Sequence, residues 1–362
     1  MKISHPSGCG ITQRKMMQIK VFCMVVLCAF LFIACEKDND DYEPIKPPVE
    51  QPEEPVKPEK PDEPEKPEKP TTPPATDDII NVKIGDSNMI VGSNNWNAIT
   101  YGNGKYVAVG EKGYVTMSTN GVDWSTPKQV GSKVWHAITY ANGKFVAVGG
   151  SGYSGQKAFV TYSTNGIEWA TPVSIPSLYG DLCSITFGNG KFVAVGYHEY
   201  GGREYGYVTT STNGVTWTSA IKIGEDTGTQ LMSVAFGNGK FVAIGDGYAT
   251  TSENGISWSS LTRISYDSFY SIIYAKDKFI ICGSNTVIYT STDIITFEQR
   301  FAKPGTSSLI SLLYDNGCIV ALRKNGYYLL SSDGINWSEP AQITDESGKV
   351  VTAMLNGVCA MP

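Results

Sequence analysis

A seven-residue turn that recurs six times, a spacing of about forty residues between its copies, and an apolar hairpin ahead of each copy predict an all-β protein. The architecture they predict is a β-propeller of four-stranded blades. The first turn is Ser118-Thr119-Asn120-Gly121-Val122-Asp123-Trp124. It returns with Ser163, Asn165, Gly166 and Trp169, with Ser211, Asn213, Gly214 and Trp217, and with Ser252, Asn254, Gly255 and Trp258. The fifth copy keeps Ser291 and Asp293 but has Ile294 for the glycine and Phe297 for the tryptophan; the sixth has Ser331, Asp333, Gly334 and Trp337. Each residue type has a physical reason to be there. Asn or Asp bonds the backbone of its own turn, glycine accepts a positive φ, and the indole lays a large apolar ring beside the turn.

The tryptophan or phenylalanine positions lie 45, 48, 41, 39 and 40 residues apart. Each interval holds the same elements in the same order. In the first repeat an apolar strand (98–101) meets the turn Gly102-Asn103-Gly104-Lys105, and a second strand (106–110) follows. Asn-Gly between two alternating strands is a strong hairpin signal. A third strand (114–118) enters the seven-residue turn and a fourth (124–130) leaves it, which makes one blade. The first hairpin returns at 137–149, 184–196 and 233–245, and in weaker form at 271–283 and 311–322.

Six turns define six blades, and the chain ends add more strand-like sequence. Residues 350–361 match the first two strands of a repeat, with Asn356-Gly357 at the turn. Residues 80–85 match a fourth strand. The expectation is a seventh blade built from both ends, which closes the ring and removes exposed sheet edges; six blades with trailing strands is the alternative.

The turn resembles a one-residue-shorter form of the Asp-box, or BNR repeat, of sialidase-like propellers and of the photosystem II assembly factor group. The resemblance covers roughly residues 79–362 and implies a propeller; it does not imply an activity, because fold does not fix function. A sialidase needs three arginines around the substrate carboxylate, a Tyr nucleophile paired with Glu, and an Asp acid. After the leader the chain has only Arg203, Arg263, Arg300 and Arg323, and the family's Phe-Arg-Ile-Pro motif is absent. Arg263 and Arg300 fall on or just after fourth strands, far from the axis. An enzyme is therefore not the leading expectation. A two-carboxylate glycosidase remains a lesser one, although no carboxylate pair is singled out by spacing.

The other segments set location. Arg14, Lys15 and Lys20 precede an apolar run from Val21 to Ala34, the pattern of a secretion signal too short to span a bilayer comfortably. The run ends Leu31-Phe32-Ile33-Ala34-Cys35, which resembles a bacterial lipobox with lipid on Cys35. Met16 or Met17 is an alternative start. Acidic residues follow directly (Glu36, Asp38, Asp40, Asp41), resembling an export tag for outer-membrane surface lipoproteins. Residues 44–74 hold twelve prolines, one at every third position from Pro52 to Pro73. Polyproline II has three residues per turn, so this stretch reads as a stalk of roughly 95 Å at about 3.1 Å per residue. The expected divisions are a signal over 1–35, a stalk over 36–76 and the propeller over 77–362.

The formal net charge is -6. The leader carries +4 and residues 36–76 carry -7, which leaves -3 for the repeats and no footprint for nucleic acid. Cys183, Cys282, Cys318 and Cys359 lie in apolar strand patterns without Cys-x-x-Cys spacing, and only His136 and His198 fall in the repeats. No metal and no cofactor are expected, and the chain is expected to be a monomer.

Topology sorts the loops. The repeated turns share one face; the second-to-third-strand loops and the blade crossovers share the other, where sequence varies and a ligand site is expected. Two neighbouring loops there are long, 150–157 and 197–205. They bring Tyr153, Tyr197, His198, Tyr200, Arg203, Glu204 and Tyr205 forward as the candidate ligand-binding residues, with an extended self-packed hairpin as the bland alternative. Tyr179, Asp181, Glu225, Asp226 and Tyr266 on the crossovers join the same face. His136 takes the place of Asn97 and Cys183 at the start of an inner strand. The expected function is binding of a glycan or a protein by a surface-displayed lipoprotein, with an assembly scaffold as the alternative.

Overall fold

The computed structural model describes residues 95–345, apart from 122, 151–155, 201–202 and 225–228, together with the backbone of strands Lys20–Cys23, Lys83–Ile84 and Leu355–Cys359. Residues 27–79, which hold Cys35 and the expected stalk, lie outside the described residues. No helix among the described residues is long and apolar enough to cross a membrane.

Six four-stranded antiparallel sheets follow one another along the chain, each in simple up-and-down order. Blade 1 runs Trp96–Gly102, Lys105–Gly110, Tyr114–Ser118 and Lys128–Gln129. The first strands of successive blades adjoin one another, so they line the axis. The second strands are the deepest: Val107 to Val109, Phe145 to Val148, Phe192 to Val195, Phe241 to Ile244 and Phe279 to Cys282 have no accessible surface. In blades 2 to 5 the second strand has a blade against both faces, which explains its unbroken apolar run. Burying one of these side chains contributes about 1.5–3 kcal/mol. Outer strands are shorter than expected; residues 124–130 supply only a bridge between Ser118 and Trp124 and the strand Lys128–Gln129.

The repeated turns account for their own sequence. The serine hydroxyl accepts the N–H of the glycine position at 2.8 Å in all six copies. The Asn or Asp Oδ1 accepts the N–H three residues on at 2.8–2.9 Å. The glycine is required twice over. Gly214 has φ 72°, and a Cβ there would lie 2.9 Å from Val146 of the preceding blade. Ile294 holds the same left-handed conformation at φ 65° without that freedom. On the axis side a second device repeats: a Cβ on Gly102, Gly188 or Gly237 would fall within 2.1 Å of the ring of Tyr140, Phe236 or Tyr274 in the next blade. Those rings pack in turn on Phe145, Phe241 and Phe279 of their own blades.

The expected seventh blade is corrected to six four-stranded blades, the alternative. Asn356-Gly357 does not turn; it lies inside strand Leu355–Cys359. That strand pairs with Lys20–Cys23, Lys20 opposite Cys359 and Cys23 opposite Leu355, so its backbone groups are already taken by a partner other than a hairpin return. Lys83–Ile84 pairs in parallel with Thr344–Asp345. Leu355–Cys359 nevertheless adjoins the first strands of both blade 1 and blade 6. The ring of inner strands is closed by a single strand instead of a complete blade.

Candidate functional site

The inner strands carry a bulge at the same place in blade after blade. The register slips between Trp96 and Ala98, Trp135 and Ala137, Leu182 and Ser184, Phe269 and Ser271, and Leu309 and Ser311. The residues at the slip are Asn97, His136, Cys183, Tyr270 and Ile310, and a bulge re-aims the side chain it carries. The neighbouring residues are nearly constant (Trp, Leu or Phe before; Ala or Ser after), whereas the bulged residue changes every time. A position held by geometry but free in chemistry, at the variable end of the inner strands, is where recognition can diverge without cost to the fold.

Blades 2 and 3 supply the richest part of this end. Asp181 opens the first strand of blade 3 and is only 6% exposed. Its Oδ1 lies 3.6 Å from His136 Nε2 of blade 2, an ion pair whenever the imidazole is protonated. The carboxylate reaches this position because residue 150 is glycine: a Cβ there would sit 1.9 Å from Asp181 Oδ1. Asp181 pairs across the sheet with Tyr197. Burial pushes the Tyr197 phenol well above its ordinary range, and Cys183, Asp181, Glu204 and Glu199 push it further. Burial, then Asp181 and Glu204, do the same to the Cys183 thiol. Both groups stay protonated at neutral pH, and neither is poised as a nucleophile.

The long loop of blade 3 is an extended hairpin, Lys191–Tyr200 with Arg203–Ser211, in unbroken register from Phe192 with Ser211 to Tyr200 with Arg203. Sequence reasoning offered a binding loop and a self-packed hairpin as alternatives; the strand pairing shows an extended hairpin, with Tyr197 and Tyr205 on opposite faces of it. Alternation along the strands puts Tyr197, Glu199 and Glu204 on one face and His198, Arg203, Tyr205 and Tyr207 on the other. The His198 ring lies 6.1 Å from both Tyr179 and Tyr207. Burial holds its imidazole below the ordinary value against the pull of Glu199, which keeps it neutral. Lys222 stands 3.9 Å over the Tyr205 ring, and Arg203 is exposed at the tip.

The candidate residues are thus split. Tyr197 and Glu204 join Asp181, Cys183 and His136; His198 and Tyr205 face the other way. Tyr153, Glu225 and Asp226 lie outside the described residues, and of Tyr200 only the backbone pairing is described. Sequence reasoning missed the contact between His136 and Asp181, because the two residues stand 45 positions apart and meet only through blade packing. Among the described residues no group of three His, Cys, Asp or Glu is placed to hold a metal ion.

The fold and the varied end of its inner strands define a β-propeller of four-stranded blades. No family model and no curated protein matches the sequence. Among solved structures the chain is similar to one titled YCF48 bound to D1 peptide, at 15% identity, over 72% of this chain and 85% of that one, with a TM-score of 0.51. It is also similar to the selenomethionine-substituted virginiamycin B lyase of Staphylococcus aureus, at 10% identity, over 68% and 84%, with a TM-score of 0.55. At these identities the likeness is one of fold.

Proposed function

We propose that this chain is a non-catalytic binding propeller that takes a glycan or a protein segment at the variable face of blades 2 and 3. The observation that carries the reading is the cluster of His136, Asp181, Cys183, Tyr197 and Glu204, drawn from two blades around one buried carboxylate. Its hydroxyl and thiol are protonated donors, its carboxylates are acceptors, and the tyrosines add flat apolar surface. Such a set recognises polar groups on a ligand and offers no activated nucleophile. The seven-residue turns on the opposite face serve structure and leave the variable face to function.

The proposal extends to location. A lipid on Cys35, with the acidic segment and the proline-rich stalk after it, holds the propeller outward from the outer membrane. Cleavage ahead of Cys35 also removes Lys20–Cys23, the strand that pairs with Leu355–Cys359. Replacing Cys35 with Ala is expected to move the protein from the membrane fraction to the soluble one; unchanged partition refutes the anchor.

The decisive experiment is a glycan-array screen of the purified protein beside a variant carrying Tyr197→Phe and Glu204→Gln. Selective binding lost in the variant supports a glycan site on the blade 3 hairpin. Binding that the variant retains refutes that placement. A second reading, a scaffold that docks a protein partner, is favoured by the likeness to a propeller solved with a bound peptide. It predicts no glycan binding and capture of a defined partner that the same variant abolishes.

A further inference from the structure

Four blades have a tyrosine four residues before the turn serine and pair it with a long polar residue on the outer strand: Tyr114 with Gln129, Tyr207 with Lys222, Tyr248 with Arg263, and Tyr327 with Gln342. In blade 6 the Gln342 amide donates to the Tyr327 hydroxyl at 2.7 Å. In blade 4 Arg263 Nη2 donates to the Tyr248 hydroxyl at the same 2.7 Å. A neutral amide therefore meets the structural need, and the fold does not demand the positive charge at 263.

That charge has no ion-pair partner among the described residues. Arg300, by contrast, pairs with Glu298. The Asp267 carboxylate is nearby in sequence, but it accepts from the Ser265 hydroxyl at 2.7 Å and from Asn285 at 3.1 Å. The Arg263 guanidinium carbon lies 4.3 Å from the Tyr248 ring centre and 4.7 Å from that of Tyr266. Nη1 donates to the Ser265 carbonyl at 3.2 Å, so three of the five N–H groups remain open.

Tyr266 is 93% exposed. Its exposure does not reflect a slack loop. Ile264 and Ser265 both donate to the Gly247 carbonyl, the Ser265 hydroxyl accepts from Asp267 N and from the Tyr289 hydroxyl, and Ser268 N donates to Ser284. The crossover is pinned at every residue around the tyrosine. An exposed ring on a pinned backbone, beside a guanidinium oriented by its stacking and with open N–H groups, offers a ligand a flat apolar face and a charged fork at low ordering cost.

We propose that Tyr266 and Arg263 form a subsite for a carboxylated sugar, a hexuronate whose ring lies flat on Tyr266 while its carboxylate takes the open N–H groups of Arg263. The carboxylate is chosen by the planar fork, which matches it in bidentate fashion. A sugar is favoured over a peptide because Tyr266 stands free of flanking walls, whereas peptide anchor residues are gripped in desolvated pockets. The site shares no residue with the blade 2 and 3 cluster, so it can stand or fall apart from the function proposed above.

The test is calorimetric titration of the whole protein with hexagalacturonate, with a neutral galactose hexamer, and with hexaglutamate. Hexagalacturonate is expected to bind, more weakly as salt rises. Arg263→Gln and Tyr266→Ala should each weaken it about tenfold or more, the scale of one charge-assisted hydrogen bond. Arg263→Lys, which keeps the charge and loses the fork, should also weaken it. Melting should be unchanged in Arg263→Gln, since glutamine fills the matching place in blade 6. Absence of hexagalacturonate binding, equal binding of the neutral hexamer, or indifference to Arg263→Gln each overturns the proposal. Preferential binding of hexaglutamate overturns it in favour of an acidic protein segment.

Discussion

Gly190 and Gly214 of blade 3 provide a controlled test of what the seven-residue turn contributes between blades. Their backbones are nearly identical, at φ 71° and 72°. A Cβ on Gly190 meets nothing within 4 Å, whereas one on Gly214 lies 2.9 Å from Val146 Cγ2 and 3.2 Å from Phe192 Cε2. An L side chain in the left-handed region costs roughly 1–2 kcal/mol, offset by about 0.4–1 kcal/mol from the less flexible unfolded chain. Gly190→Ala should therefore destabilise by about 1 kcal/mol. Gly214→Ala adds overpacking of about 1–3 kcal/mol, because Val146 lies in a buried second strand and cannot retreat into solvent. The expected total is about 2–4 kcal/mol. Urea unfolding followed by tryptophan fluorescence and by circular dichroism reads the difference, provided the two probes coincide for each variant. Equal destabilisation by the two substitutions refutes the claim that this turn is packed against the preceding blade.

Other expectations concern titration and packing. The Asp293 carboxyl is held below its ordinary value by the N–H groups of Thr296 and Ile295. Asp333, though partly desolvated, is held below it by those of Asn336 and Ile335. A carboxyl depressed by folding contributes stability above its unfolded value and loses it as pH falls through the folded one. Because the other four turns use neutral Asn, replacing Asp293 and Asp333 with Asn should flatten the acid limb of a melting-temperature profile; an unaltered limb refutes this. Iodoacetamide at neutral pH should leave Cys183 and Cys282 unlabelled in the native protein and label both after unfolding, as mass spectrometry of peptides would report. Native labelling of Cys183 would contradict its raised thiol. Gly150→Ala should displace the Asp181 carboxylate, lowering stability by about 1–3 kcal/mol and shifting the His136 ring resonances. Unmoved His136 resonances would refute the contact.

Much of the architecture was legible in the chain because it depends on local rules. Asn-Gly pairs such as Asn189-Gly190 form hairpin turns with φ 47° and 71°, and the serine, Asn or Asp, and glycine of each seven-residue turn bond one another within four residues. Interactions of that range are set by sequence neighbours, so their repetition announces the blades. The blade count was less legible, since Asn356-Gly357 has the right residues for a turn but its strand found a partner in Lys20–Cys23. Whether a turn closes depends on which strand competes for the same backbone groups.

The candidate site was half legible for the same reason. Variation along the chain located the blade 3 hairpin, and strand alternation could have separated Tyr197 and Glu204 from His198 and Tyr205. Nothing local announces that Asp181 sits against His136, or that Arg263 stacks on Tyr248 and Tyr266. Sequence alone determined an all-β repeat with four strands to each unit, because turn chemistry and alternation act between near neighbours. Only the tertiary structure decided which side chains meet at the variable face. Those contacts arise from bulges, crossovers and the packing of one blade on the next, where residues distant in the chain are brought together by the shape of the whole ring.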